Sequence, residues 1–163
     1  LPEAQNVGIL YCSAEANSVY QADVVKAALE EKGVTVTVYT FADSNDVATV
    51  TQTACAENDA LYIPTDNTAA SCTEAINNVA EPAGVPIVAG EEGICKGCGI
   101  ATLSIDYYEL GKTTGAMAAK ILTGEANVSE MPIEYYQNPV KKYDVARCEA
   151  LGITVPADYV AIG

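Results

Sequence analysis

With 163 residues, half of them apolar, the chain is long enough to build one well-filled core and too short for two ordinary domains. It carries 22 acidic and 8 basic residues, so its net charge is −14; such a surface repels phosphate backbones and anionic lipids, which argues against binding to nucleic acid or to a membrane surface. No apolar run approaches the roughly 20 residues that span a bilayer, and the first residues lack the basic and apolar regions of a signal peptide.

Strand and helix patterns alternate along most of the chain. In chain order the predicted elements begin with a strand at 6–11, a helix at 18–32 ended by Gly33, a strand at 34–39 and a helix from Ser44 or Asn45 to about residue 56. A strand at 60–63 follows, and then a helix that carries Cys72, Ala75, Ile76, Val79 and Ala80 on one face. The next predicted elements are a strand at 85–89, a glycine-rich loop, a strand at 100–105 and a long helix at 107–122. The apolar stripe predicted for the long helix contains Leu110, Thr114, Met117, Ala118 and Ile121.

The remainder of the chain is less regular. Residues 133–136 are predicted to form a strand, residues 144–151 a short helix ended by Gly152, and Val155 with Pro156 a tether. Strands that alternate with helices predict a three-layer, Rossmann-like α/β fold, in which a parallel sheet with right-handed crossovers carries helices on both faces.

Polar side chains follow two of the predicted strands. Glu15, Asn17 and Ser18 come just before or within the start of the first helix, and Asp66 and Asn67 hold the same place after the strand at 60–63. The carboxyl ends of parallel strands are where open α/β sheets bind ligands, so these residues are candidate ligand contacts. Each residue type is also suited to capping a helix, and this second interpretation stays open.

Two of the six cysteines, Cys95 and Cys98, have the spacing of a redox or metal-binding pair. Such a redox motif normally opens a helix, whereas Gly93, Gly97 and Gly99 predict an irregular loop here. The chain has no histidine to complete a zinc site. Free thiols or a structural disulfide are therefore favoured over a metal or redox function, and no cofactor is predicted.

One functional interpretation of the chain is an enzyme in which Glu15 and Asp66 act as a general acid/base pair. The sequence contains no histidine, no nucleophile elbow and no phosphate-binding glycine turn, so the usual companions of such a pair are missing. We therefore expect no catalytic activity. Another functional interpretation is the effector-binding domain of a transcription regulator, although nothing in the chain encodes a DNA-binding headpiece.

Several motifs in order resemble one protein family. They are 10–18 (LYCSAEANS), 62–68 (YIPTDNT), 90–93 (GEEG), 106–112 (DYYELGK), 118–125 (AAKILTGE) and 151–156 (LGITVP). Together they resemble the substrate-binding proteins of ABC importers, in the branch that includes tryptophan- and tyrosine-binding lipoproteins. This resemblance covers nearly the whole chain but corresponds only to the second half of such proteins.

The resemblance implies one lobe of a type I periplasmic binding protein, with the N-terminal lobe missing. In that fold a small-molecule ligand is held between two lobes, so the implied ligand contacts are Glu15, Asn17, Ser18, Asp66 and Asn67. For an amino-acid ligand, Asp66 is the first choice to meet the α-ammonium group. Glu91, at the next strand end, is a further candidate.

Aromatic side chains suggest how such a ligand would be contacted. Tyr107 is included among the site residues, and Tyr20 and Tyr108 are alternatives; each can stack on an aromatic ligand or simply pack in an interface.

The resemblance also implies partners and a location. The partners are an ABC permease and its ATPase, and the location is the periplasm or, for a lipoprotein, the outer face of the cytoplasmic membrane. In type I proteins the helix matching 107–122 packs on the other lobe. We therefore expect the isolated chain to cover this helix by pairing with a second copy.

Overall fold

A seven-stranded sheet organises the chain, of which the computed structural model describes residues 1–162. The strands are β1 (Asn6–Cys12), β2 (Thr35–Phe41), β3 (Ala60–Ile63), β4 (Ile87–Ala89), β5 (Ala101–Ser104), β6 (Val140–Tyr143) and β7 (Val160–Ala161). Their spatial order is β2-β1-β3-β4-β5-β6-β7. The first five strands are mutually parallel, while β6 runs antiparallel to β5. The predicted α/β class is confirmed.

Helices cover both faces of this sheet. They are α1 (Ala16–Glu30), α2 (Val47–Glu57), α3 (Asn67–Ser71), α4 (Thr73–Ala83), α5 (Glu92–Cys98), α6 (Tyr107–Leu122) and α7 (Val145–Ala150). The larger core cluster joins α2, α4 and α5 to one face, with Phe41, Leu61 and Ile87 fully buried from the strands. A smaller cluster joins α1 to Ile9 and Tyr11 on the opposite face. Among the described residues no helix has both the length and the apolar character to cross a membrane.

The strand order places a topological switch point between β1 and β3. The chain moves from β1 to β2 on one side and then returns to β3 on the other side of β1. The connections leaving the carboxyl ends of β1 and β3 therefore diverge, which opens a crevice between them. This crevice is where the two polar junctions predicted from the sequence meet.

The glycine-rich segment after β4 is a helix, so the prediction of an irregular loop was wrong. Glu91 caps α5 by accepting hydrogen bonds from the backbone N–H groups of Gly93 and Ile94. Gly97 serves packing, because a Cβ at this position would lie 2.4 Å from the Thr73 side chain. The helix forms because its cap and its close contact with α4 outweigh the low helix propensity of glycine.

The cysteines of α5 lie in the core. Cys95 is 0% and Cys98 is 4% exposed, and all six cysteines are free thiols. Burial raises the pKa of both thiols to about 12, so they carry little nucleophilic thiolate at neutral pH. The described residues contain no group of three potential metal ligands.

The segment between β5 and β6 departs most from expectation. No residue of α6 is buried, so the prediction of a buried stripe was wrong; Leu110, Met117 and Ile121 are only half-buried, and Thr114 and Ala118 are exposed. Residues 133–136 form no strand, which also contradicts the prediction, and Ile133 and Tyr135 are 79% and 74% exposed. A strand needs a neighbour to accept and donate its ladder hydrogen bonds, and this segment lies beside none. We call residues 107–139 the arm.

Candidate functional site

Glu15 links the two junctions at the carboxyl edge of the sheet. One carboxylate oxygen accepts hydrogen bonds from the backbone N–H and the side-chain amide of Asn67, at 2.9 and 3.0 Å. The other accepts from the backbone N–H and the hydroxyl of Thr68, both at 2.9 Å. Partial burial opposes ionisation, but these hydrogen bonds together outweigh it and lower the pKa of Glu15. Glu15 is therefore an ionised clamp on the first turn of α3.

Asp66 makes a second, deeper connection between the same junctions. One oxygen accepts from the Cys12 backbone N–H and the Ser18 hydroxyl, each at 2.8 Å, and the other accepts from the Ala69 N–H at 2.7 Å. The residue is only 2% exposed. Both oxygens have donors and solvent hardly reaches them, so the geometry favours capping over the direct ligand contact that the sequence also allowed.

Asn17 and Ser18 act across the crevice. They lie in the first turn of α1, whose N-cap is Glu15, and the Asn17 amide donates to the Thr65 carbonyl oxygen at 2.8 Å while the Ser18 hydroxyl lies 3.2 Å from it. Gln21, which the sequence reasoning missed, accepts from the Thr65 N–H at 3.0 Å. The signal available for Gln21 was its helical spacing, because it follows Asn17 by one turn on the same face.

The ends of β3 and β4 are also held close together. Gly90 is required there, because a Cβ on this residue would lie 2.6 Å from the Thr65 nitrogen. Glu91, which follows, is a half-buried cap of α5. Tyr107 is 56% exposed, and its pKa is raised by partial burial and by the negative charge of Glu91. Tyr107 lines a cavity together with Glu92, the residue after Glu91, while Tyr20 is 71% exposed on α1.

Two cavities lie at opposite ends of the strands. One of about 400 Å³ lies at the carboxyl end of β5, beside this site, and Tyr107 lines it. A larger one of about 660 Å³ lies at the other end of the strands, between α4, α5 and α7. Its main cation, Arg147, already donates to Asn77 and to the carbonyls of Lys96 and Gly97, and it pairs with Asp144. That arrangement fastens α7 to α5, so we assign the larger cavity to the packing of these helices.

The arrangement at the carboxyl edge is suited to binding rather than to acid/base chemistry. Glu15 and Asp66 are both engaged by backbone donors, which fixes the crevice geometry before any ligand arrives. Asn67 remains exposed at the rim, next to Glu15. A rigid, polar rim of this kind can present amide and hydroxyl groups to a small polar molecule.

Comparison with known proteins identifies relatives of this architecture. Residues 1–161 match the family described as ABC transporter substrate binding protein. A tyrosine-binding protein from Clostridioides difficile is 30% identical over 132 residues, which cover 81% of this chain and 38% of that protein.

Solved structures agree in fold. An ABC domain from Streptococcus pneumoniae in complex with L-Trp is 29% identical with a TM-score of 0.87, covering 96% of this chain and 52% of that one. A conserved domain protein from Vibrio cholerae is 28% identical with a TM-score of 0.89, over 99% and 55% of the two chains. A ligand-free, open substrate-binding protein with adhesive properties from Clostridium difficile is 31% identical with a TM-score of 0.76, over 99% and 56%. The chain thus spans about half the length of these proteins.

Proposed function

Because the chain belongs to the ABC transporter substrate-binding protein family, we propose that it forms one lobe of a two-lobed, extracytoplasmic receptor for an ABC importer. The ligand is an amino acid or a similar small polar molecule, with an aromatic amino acid preferred. The observation that carries this proposal is the likeness, over 96% of this chain, to a protein solved with L-Trp bound. The named tyrosine-binding relative supports the same ligand class.

The proposed ligand site is the carboxyl edge of the sheet, facing a second lobe. Asn67 and Tyr107 are the rim residues from which we expect direct contacts. Glu15, Asn17, Ser18, Asp66 and Glu91 belong to the same site, and their hydrogen bonds to neighbouring loops and helix starts support a role in holding the rim in place. Ligand identity depends on both walls of the cleft.

The arm supports the proposal that a second lobe is part of the functional protein. It projects from the body with no buried residue in α6, and Leu122 is 87% exposed. Apolar groups of this size contribute roughly 1.5 to 3 kcal/mol each when fully buried, so a stable protein gains by covering them. We propose that the arm packs on the N-terminal lobe, and that the assembled receptor docks on the permease and its ATPase.

We propose that the chain binds its ligand without catalysing a reaction. The enzyme alternative required Glu15 and Asp66 to exchange protons with a substrate, whereas backbone and hydroxyl donors engage both oxygens of each. The regulator alternative predicts a helix-turn-helix encoded upstream, while the receptor predicts a secretion or lipoprotein signal there.

Ligand binding by the full-length receptor is the direct test. Native mass spectrometry of the purified protein, followed by calorimetry with L-Trp and L-Tyr, is expected to give a dissociation constant near micromolar, about −8 kcal/mol. L-Ala serves as the matched amino acid without a ring. A receptor that binds none of the three at millimolar concentration would overturn the proposal.

A further inference from the structure

The cavity at the carboxyl end of β5 combines aromatic walls with opposite charges. Its volume of about 400 Å³ falls in the range of small-molecule sites. Tyr107, Tyr108 and Tyr136 line it, so both ends of the arm contribute rings. Its charged groups are Asp106, Glu92 and Lys142. This composition matches a ligand that carries both a ring and a charged head group.

The carboxylates at the carboxyl ends of the strands differ in their free hydrogen-bonding capacity. Glu15, Asp66 and Glu91 have donors on both oxygens. Glu92 is paired with Lys142 at 2.5 Å. Asp106 uses only Oδ1, which caps α6 by accepting from the N–H groups of Tyr108 and Glu109 at 2.9 and 3.1 Å. Within the described part of the chain, its Oδ2 accepts no hydrogen bond.

The position of Asp106 also suits a ligand contact. Its Oδ1 is fixed by the helix cap, so the carboxylate is held in one orientation while the residue remains exposed and lines the cavity. The cation that lines the cavity, Lys142, is already paired with Glu92, which also fastens β6 to α5. Lys112, whose Nζ lies 5.7 Å from the Tyr108 ring centroid, is likewise paired with Glu109. A cationic ligand group therefore meets an available negative charge at Asp106.

The floor of the cavity supplies a further polar group. Ser104 lines it, and Thr102 lies two residues earlier on the same face of β5. Thr102 is 2% exposed, and its hydroxyl has no partner among residues 1–162. A buried hydroxyl without a partner is unfavourable. Thr102 itself does not line the cavity, so Ser104 is the hydroxyl on this face of β5 that a ligand can reach.

We propose that Asp106 binds the α-ammonium group of the ligand and that Tyr107, Tyr108 and Tyr136 form the subsite for its ring. This assignment rests on the proposed function, and it moves the ammonium contact from Asp66 to Asp106. Both ends of the arm take part, since Tyr107 and Tyr108 begin α6 and Tyr136 lies shortly before β6. Ligand binding and the placement of the arm are then coupled.

The decisive variant is Asp106→Asn in the full-length receptor. Asparagine caps a helix as well as aspartate does, so α6 is retained while the charge is lost. Calorimetry with L-Trp and with L-Tyr is expected to show at least tenfold weaker binding of whichever amino acid the wild type prefers. The matching deamino acid, indole-3-propionate or 3-(4-hydroxyphenyl)propionate, lacks the ammonium group, so its affinity is expected to stay within twofold or to rise.

The control is Glu109→Gln, which removes one negative charge from the same helical turn. Glu109 is exposed, pairs with Lys112 and does not line the cavity, so affinity is expected to stay within twofold. If Asp106→Asn binds the amino acid within twofold of wild type, the assignment is wrong although the proposed function stands. If the amino acid and the deamino acid weaken equally, Asp106 shapes the pocket and does not contact the ammonium. A wild type that binds neither L-Trp nor L-Tyr overturns both proposals.

Discussion

The Glu15 clamp gives the sharpest stability prediction for this chain. Glu15→Gln replaces one of the two oxygens that accept from Asn67 and Thr68 by an amide donor, which then faces N–H or hydroxyl groups. Hydrogen bonds to charged groups contribute roughly 1.5 to 3 kcal/mol, and a capping interaction about 1 kcal/mol. Since the glutamine keeps one oxygen and the site is partly solvated, we expect the free energy of unfolding at pH 7 to fall by about 1–2 kcal/mol.

The pH dependence of this effect follows from the direction of the pKa shift. The folded-state pKa of Glu15 lies below its ordinary value of 4.5, so the carboxylate stabilises the fold above that value. The contribution is lost as the pH falls through the folded pKa, where wild type also becomes protonated. The difference in stability between wild type and Glu15→Gln is therefore expected to be largest at pH 7 and to shrink below about pH 4.

Urea unfolding followed by circular dichroism, at pH 7 and at about pH 3.5, measures this difference. In thermal melts, each kcal/mol corresponds to a shift of about 2–4 °C for a chain of this length. Glu134→Gln is the matched control, because Glu134 is exposed and accepts no hydrogen bond from the described residues. Equal stability of the two variants at pH 7, or a Glu15→Gln deficit that persists undiminished at low pH, would contradict the clamp.

Three further predictions concern the core of the site and the arm. Asp66→Ala is expected to lower the free energy of unfolding by at least about 2 kcal/mol, because it leaves buried donors unpaired. In the full-length receptor the same variant is expected to keep ligand affinity within threefold. A tenfold loss of affinity at unchanged stability would restore Asp66 as the ammonium contact. If the proposed second lobe supplies the other wall of the site, the chain alone is expected to bind the ligand only near millimolar, and micromolar binding by calorimetry would argue against a two-walled site. The isolated chain is also expected to self-associate through α6 in light scattering; Met117→Glu is expected to favour the monomer, with Lys112→Glu, on the same helix, as the control. A wild-type monomer at high concentration would contradict this.

Local patterns predicted the first half of the fold well because its strands and helices are defined by residues close in sequence. The helix containing Cys95 was missed because its glycines resemble a loop, while the features that stabilise it are a cap and a contact with Thr73. The strand at 133–136 was predicted from a valid local pattern, but a strand forms only where a neighbour exists. The strand Val140–Tyr143 was missed because two lysines occupy its centre.

The sequence indicated which residues lie at the candidate site, but not which residues they contact. Strand ends identified Glu15 and Asp66 as belonging to one edge of the sheet. Their partners could not be inferred, because the Glu15 hydrogen bonds reach residues more than 50 positions away. The same limitation applied to Asp106, whose free oxygen becomes evident only when the donors around each neighbouring carboxylate are known.

The antiparallel pairing of β5 with β6 has a consequence for protein engineering. Ser104 and Val140 are register partners at the end of the ladder, so the chain leaves the body and returns to it at adjacent points. In topological terms, the arm is a long insertion at the tip of a β-hairpin. Residues 105–139 can therefore be exchanged for a two-residue Asn-Gly turn, which favours the twist of such hairpins. The shortened chain would provide a minimal scaffold in which the carboxyl edge of the sheet is accessible to grafted recognition loops.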